Sequence, residues 1–204
     1  MFFSFDGIDG VGKSTQVALL RDRLRERDFD VVVCRDPGST PLGERIREVL
    51  LTNDAATSIG RGSEMLLYMA ARAQLVEEII RPALDAGKVV IADRYLLANV
   101  VYQGHAGGLY PEEIWNVGRI ATGGVEPDAI LLLDMAPDGA GRRMDRPLDR
   151  MESQGDEYRE RLRAGFLKEA AGNPSIHVVA ADRPVDVVQA DIWRIAVNLL
   201  GLSK

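Results

Sequence analysis

Gly7-Ile8-Asp9-Gly10-Val11-Gly12-Lys13-Ser14 follows the apolar run Phe2 to Phe5 and leads, through Thr15 and Gln16, into a helical pattern. The stretch fits G-x-x-x-x-G-K-[ST], and a strand before it with a helix after it is the context that gives the pattern meaning. Its glycines let the backbone turn so that successive N–H groups face one point, and the helix N-terminus adds the positive end of its dipole. Gly7, Gly10, Val11, Gly12, Lys13, Ser14 and Thr15 are therefore expected to hold the phosphates of a nucleoside triphosphate. Lys13 would reach the β- and γ-phosphates, and the Ser14 hydroxyl could ligate Mg²⁺.

Outward from this cradle, short apolar runs alternate with helical patterns. Phe2–Phe5, Val31–Arg35, Lys88–Ala92, Ala129–Leu133 and Ile176–Val179 read as strands. Ser14–Arg27, Leu42–Leu51, Ser63–Ala86 and Val185–Leu200 read as helices, with Pro82 expected to kink or end the third. The segment Thr52–Gly62 reads as polar and irregular. This alternation predicts an α/β fold: a five-stranded parallel sheet with helices on both faces. The 204 residues suit one domain with no repeat or linker. The Arg-rich stretch Arg142–Arg163 is the one shift in composition, and its second half reads as a solvated helix face laced with i,i+4 pairs.

Charge and cysteine usage exclude several classes. A net charge of -6 gives no global attraction to nucleic acid or an anionic membrane, so a phosphate site must be local. No apolar run of about 18 residues occurs, so no spanning helix is expected. The start has no basic, signal-like segment, and a cytoplasmic location is the expectation. Cys34 is the single cysteine and excludes an internal disulfide; within Val31–Cys34 it reads as a small buried hydrophobe.

The rest of the site must choose between hydrolysis and transfer. The guanine-reading Asn-Lys-x-Asp is absent, which argues against a GTPase switch. Asp93 closes the third strand beside the cradle and suits a Mg²⁺ ligand. The adjacent Arg94 either clamps an acceptor phosphate or forms a strand-end ion pair. Tyr68 and Arg72, four apart on one helix, share a face. They either stack and hydrogen-bond a base or pack as a core-rim tyrosine on an arginine stem. Asn99, Tyr102 and Gln103 precede a glycine-rich stretch. Neither His105 nor His177 has a partner in reach by sequence, and neither is assigned a catalytic role.

Together these motifs resemble the thymidylate kinase family over nearly the whole chain. F-E-G-x-D-G-x-G-K-[ST] is matched by Phe5 to Ser14, and R-E-P-G-G-T by Arg35 to Thr40. The aromatic-x-x-x-Arg helix is matched by Tyr68 and Arg72, D-R-[YH] by Asp93 to Tyr95, and Y-Q-G by Tyr102 to Gly104. The lid pattern is matched by Arg142, Arg146 and Asp149 to Glu152, which sets a small lid at about 142–154. The resemblance implies phosphoryl transfer from ATP to dTMP with Mg²⁺, in a homodimer. It also implies roles. Asp9 would contact the acceptor near its sugar and metal, and Arg47 and Arg94 would hold the dTMP phosphate beside Pro37. Tyr68 would stack on thymine, Arg72 would bond its O4, and Asn99 and Gln103 would line the base site. Tyr102 would press on the sugar. Arg142 would lie over the adenine, with the loop Ala180 to Pro184, including Arg183, on its other side. Asp6 and Asp36 stand where the family has Glu, and Ser39 where it has Gly. The cradle carries no arginine between Asp9 and Gly12, so Arg146 and Arg150 of the lid would supply the catalytic cations.

Two rivals make different demands. A deoxynucleoside kinase needs a carboxylate to deprotonate a neutral hydroxyl, for which Asp36 could serve. Its Glu-Arg-Ser motif and its tryptophan after the second strand are missing. A P-loop ATPase or regulator without a small acceptor leaves Tyr68, Arg72, Asn99 and Tyr102 unexplained.

Overall fold

Phe2–Asp6 is buried at every position, as is Val89–Asp93 up to its last residue, whereas Val31–Arg35 and Ile176–Ala180 mix buried with half-buried and exposed positions. Strands covered on both faces must be central, and half-solvated ones lie at an edge. The computed structural model, which describes residues 1–52, 58–143 and 155–202, arranges them so. Strands β1 (Phe2–Asp6), β2 (Val31–Arg35), β3 (Val89–Asp93), β4 (Ala129–Asp134) and β5 (Ile176–Ala180) form one sheet in the order β2-β3-β1-β4-β5. Every pairing is parallel. The α/β expectation thus holds; β2 has the bounds read for it, and the other four strands run a residue further than read, with β3 also starting a residue later.

Alternate residues face opposite sides of the sheet, and each side has its own apolar cluster. Phe3, Phe5 and Ile91 join the side chains of Leu20, Leu24, Ile192 and Trp193. Phe2, Val90 and Ala92 join Met69, Leu75, Ile80 and Ile114. The first cluster is covered by α1 (Lys13–Arg25) and α9 (Val185–Leu200), among others; the second is covered by α3 (Arg61–Leu75) and α6 (Pro111–Thr122). Cys34 lies in the second cluster, and burial pushes its thiol up to about 12, as its small-hydrophobe reading requires.

The helix that carries Tyr68 continues from α3 through a π-helical turn, Val76–Ile80, into α4 (Arg81–Asp85). Pro82 would lose one i→i−4 bond and press its ring on the preceding turn. The wide turn just upstream accommodates this, so the expected break is a bulge within a continuing helix. A second π-helical segment, Val100–Ala106, extends α5 (Leu96–Asn99). Gly104 and His105, where the glycine-rich stretch begins, therefore lie inside a helix.

The remaining helices among the described residues are α2 (Pro41–Leu51), α7 (Pro137–Gly141) and α8 (Asp156–Gly172). On α8, Arg159 pairs with Asp156 one turn away at 3.6 Å, and Arg163 adds a tertiary pair, donating to both carboxylate oxygens of Asp134 at 2.8 and 2.9 Å. That pair anchors α8 to the end of β4. Arg146 and Arg150, with most of the 142–154 lid, lie outside the described residues.

Candidate active site

The carboxyl ends of β1, β2 and β3 converge on one cavity of about 830 Å³. It is lined by residues Asp9 to Gln16, by Arg35, Asp36, Arg47, Asp93 and Arg94, and on its far side by Arg143 and Arg183. At the cradle, Gly7 has φ +131°, and a Cβ there would lie 2.4 Å from the Leu133 carbonyl oxygen, so only glycine fits. Gly12, at φ 97°, caps α1 in the left-handed region. Gln16 Nε2 donates to the Val185 carbonyl at 3.0 Å, tying the cradle's helix to the start of α9.

Two cations meet on one carboxylate inside the cavity. Lys13 Nζ donates to the carbonyls of Gly7 and Ile8 at 3.0 and 2.8 Å and lies 3.5 Å from Asp9 Oδ1. Arg94 donates to Asp9 Oδ1 at 2.5 Å, to the Gly7 carbonyl at 3.0 Å and to the Tyr102 hydroxyl at 3.1 Å. The Tyr102 hydroxyl in turn donates to Asp9 Oδ2 at 2.9 Å. Burial would raise the Asp9 carboxyl, but Arg94, Lys13 and the Tyr102 hydroxyl outweigh it and hold it well below the usual range. Arg94 reaches this position from φ 70°, a left-handed conformation that non-glycine residues rarely adopt. Burial lowers Lys13, and the Arg94 charge lowers it further.

Ser14 Oγ donates to Asp93 Oδ2 at 3.3 Å, bringing the two expected metal ligands together. On the acceptor side, Arg47 Nη1 donates to the Pro37 carbonyl at 2.9 Å, and burial lowers its guanidinium. Asp36 and Pro37 are joined by a cis peptide. Ser39, at φ 66°, occupies a conformation suited to glycine, and its hydroxyl accepts from the Arg35 backbone N–H at 2.8 Å. That bond offsets part of the left-handed cost.

The expected base-reading residues lie behind this cavity and form a buried set. Tyr68 is 9% exposed and packs with Ile46, Leu50 and Ala71. Arg72, 1% exposed, lies over the Tyr95 ring, and it donates to Asp36 Oδ2 at 2.5 Å. Arg72 also donates to Asn99, and Asn99 donates to Gln103 at 2.6 Å. On the donor side, Arg183 lines the cavity and bonds Asp191 at 2.5 Å. Arg142 is exposed at the end of α7, whereas its neighbour Arg143 lines the cavity and donates to the Ala181 carbonyl at 3.1 Å.

Sequence reasoning passed over Arg143, Glu64 and the counter-ion role of Asp36. Glu64 was detectable, because 64, 68 and 72 fall on one helix face at i+4 spacing. Arg143 had no such signal, since its place depends on the fold of the β5–α9 connection.

A parallel sheet in this order with a phosphate cradle after β1, an arginine after β3 and a buried polar side-chain network beside them defines a P-loop kinase that acts on a small acceptor. The family model described as thymidylate kinase matches residues 5–192. A thymidylate kinase of Symbiobacterium thermophilum is 45% identical over 98% of this chain and 94% of its own. One of Rhodopirellula baltica is 44% identical over 93% of this chain and 77% of its own. The crystal structure of thymidylate kinase from Ehrlichia chaffeensis superposes with a TM-score of 0.79 at 29% identity, covering 96% and 98% of the two chains. This chain belongs to the thymidylate kinase family.

Proposed function

We propose that this chain transfers the γ-phosphoryl group of ATP to dTMP, giving dTDP and ADP. Family membership supports the activity. The observation that carries the site assignment is the convergence of Lys13 and Arg94 on Asp9 at the mouth of the cradle. A monophosphate is largely ionised at neutral pH, so its transfer needs cations and positioning rather than a strong base. Lys13 serves the donor phosphates, and Arg94 with Arg47 serves the acceptor phosphate. Both cations exchange Asp9 and backbone carbonyls for phosphate oxygens. Asp9 and Tyr102 then hold the sugar end of the acceptor. Arg142, Arg143 and Arg183 flank the adenine. On the sequence pattern alone, Arg146 and Arg150 add cations from the lid, with residues 1–204 forming one kinase domain.

Ser14 Oγ and Asp93 Oδ2, 3.3 Å apart beside the cradle, fit Mg²⁺. This ion takes oxygen ligands, needs only one or two from protein, and fills the rest with phosphates and water. Bound there, it would neutralise charge on the β- and γ-phosphate oxygens.

Asp36 speaks against the nucleoside kinase reading. Its carboxyl is fully buried and committed to Arg72 at 2.5 Å, so it serves as a counter-ion rather than a base for a hydroxyl. The test is ADP release with ATP–Mg²⁺ against a panel of nucleosides and monophosphates, with Lys13→Ala as the inactive control. Turnover is expected with dTMP and not with thymidine. Faster turnover with thymidine would assign the protein to nucleoside phosphorylation. We further propose a cytoplasmic homodimer; no described helix is long and apolar enough to cross a membrane.

A further inference from the structure

Five buried side chains form one hydrogen-bonded file from the end of β2 to α3. Arg72 donates through Nε to Asp36 Oδ2 at 2.5 Å and through Nη2 to Asn99 Oδ1. Asn99 Nδ2 donates to Gln103 Oε1 at 2.6 Å, and Gln103 Nε2 donates to Glu64 Oε1 at 2.8 Å. Asn99, Gln103 and Glu64 are 2%, 3% and 8% exposed. Taken alone, each of the two central amides could face either way. The ends of the file decide. A guanidinium has only donors, and a carboxylate has only acceptors. Arg72 therefore demands the oxygen of Asn99, which turns Nδ2 toward Gln103. Glu64 demands the nitrogen of Gln103, which turns Oε1 toward Asn99. Both ends impose the same polarity.

We propose that Glu64 is a specificity-determining positioning residue. It locks the Gln103 amide with its oxygen inward, so that the site accepts the N3–H of thymine and rejects cytosine. The inference rests on the reading that the acceptor base is held at Arg72, Asn99 and Gln103. An amide oxygen has two lone pairs, so Gln103 Oε1 keeps one after bonding Asn99. Thymine offers an acceptor, O4, beside a donor, N3–H; cytosine offers an amino donor beside an acceptor, N3. Arg72 cannot accept, so it opposes the cytosine amino group. Gln103 held oxygen-inward cannot donate, so it opposes cytosine N3. A flipped amide would relieve the second mismatch; Asn99, fixed by Arg72, opposes the flip from one end, and the carboxylate of Glu64 opposes it from the other without touching the base.

Glu64→Gln keeps the size of the side chain but lets it donate as well as accept, so the lock at the Glu64 end is released and a flipped Gln103 is opposed only at Asn99. ADP release is measured with dTMP and dCMP for the wild type, for Glu64→Gln and for the double variant Glu64→Gln/Gln103→Glu. In Glu64→Gln the ratio of kcat/KM for dTMP over dCMP should fall about tenfold or more, the scale of a lost paired hydrogen-bond readout. The change should come through KM for the two acceptors, with KM for ATP and the melting temperature unchanged. The double variant puts an acceptor-only group at position 103 facing an amide, and it should restore preference for dTMP. An unchanged ratio in Glu64→Gln overturns the proposal. So does a parallel loss with both acceptors and a lowered melting temperature, and so does a double variant that recovers no preference. A wild type inert toward dTMP sinks the proposed activity together with this inference, whereas the other three outcomes sink the inference alone.

Discussion

Asp6 closes β1 with both carboxylate oxygens buried and without a hydrogen-bond partner among the described residues. Burial pushes its pKa from an ordinary 3.8 up to about 7, even though Arg94 and Lys13 pull it down. A carboxyl whose folded value lies above its unfolded one keeps its proton in the folded state after the unfolded chain has ionised. Stability is therefore lost as pH rises from about 4 to about 7, by on the order of 4 kcal/mol in total, and the loss persists above that window. Asp6→Asn removes the titration. In protein free of nucleotide and metal, the variant should gain melting temperature over the wild type, and the gain should be larger at about pH 8 than at about pH 5. A difference that stays constant with pH would show that Asp6 titrates normally. The sequence marked this residue only as a departure from Glu; its missing partners are a property of the packed sheet.

The π-helical segment Val100–Ala106 and the short α5 before it place Asn99, Tyr102 and Gln103 on their separate partners. Tyr102 faces Asp9 and Arg94, while Gln103 faces Asn99 and Glu64. Helix α6 crosses α5 at Gly118, where a Cβ would lie 2.2 Å from Leu96 Cδ1. Leu96 is 2% exposed in a close-packed interior, so the strain is expected to pass to the turn that carries Asn99. Gly118→Ala should therefore cost about 1–3 kcal/mol of stability, the usual range for overpacking, and raise KM for dTMP more than KM for ATP. Thermal unfolding and two-substrate kinetics check both effects. An unchanged melting temperature would mean that the two helices separate without strain. Helical periodicity marks Gly118 only as a weak helix former. The close crossing that requires it comes from tertiary packing.

At the scale of the molecule, α2, α3 and α6 leave apolar side chains in solvent. Leu42 is 46% exposed, Val49 50%, Leu66 56% and Ile120 83%. Burying such side chains against a second copy removes them from water, which is the main driving term in association. Light scattering should give about twice the 22.4 kDa chain mass, and Leu66→Glu should shift the protein toward one chain mass. A wild type that runs at one chain mass would overturn the homodimer, and a dimer untouched by Leu66→Glu would move the interface elsewhere.

The chain alone determined the sheet, the cradle and the family. Period-2 and period-3.6 patterns and the glycines at 7, 10 and 12 act locally, through backbone geometry that any context must satisfy. The same locality marked Lys13 and Ser14 as candidate phosphate and metal residues, and the i+4 spacing marked Tyr68 with Arg72. What the chain could not specify is pairing between distant segments. Arg94 meets Asp9 across 85 positions, Arg163 meets Asp134 across 29, and His105 meets Glu169 across 64 at 2.6 Å. The partner of a charge is set by where the sheet brings two strand ends together, and burial then decides which of the available ions must pair. For this reason Asp36, legible in the sequence as a possible base, became the counter-ion of Arg72. For the same reason the two ambiguous amides of Asn99 and Gln103 acquired a single orientation only when the fold set Arg72 at one end and Glu64 at the other.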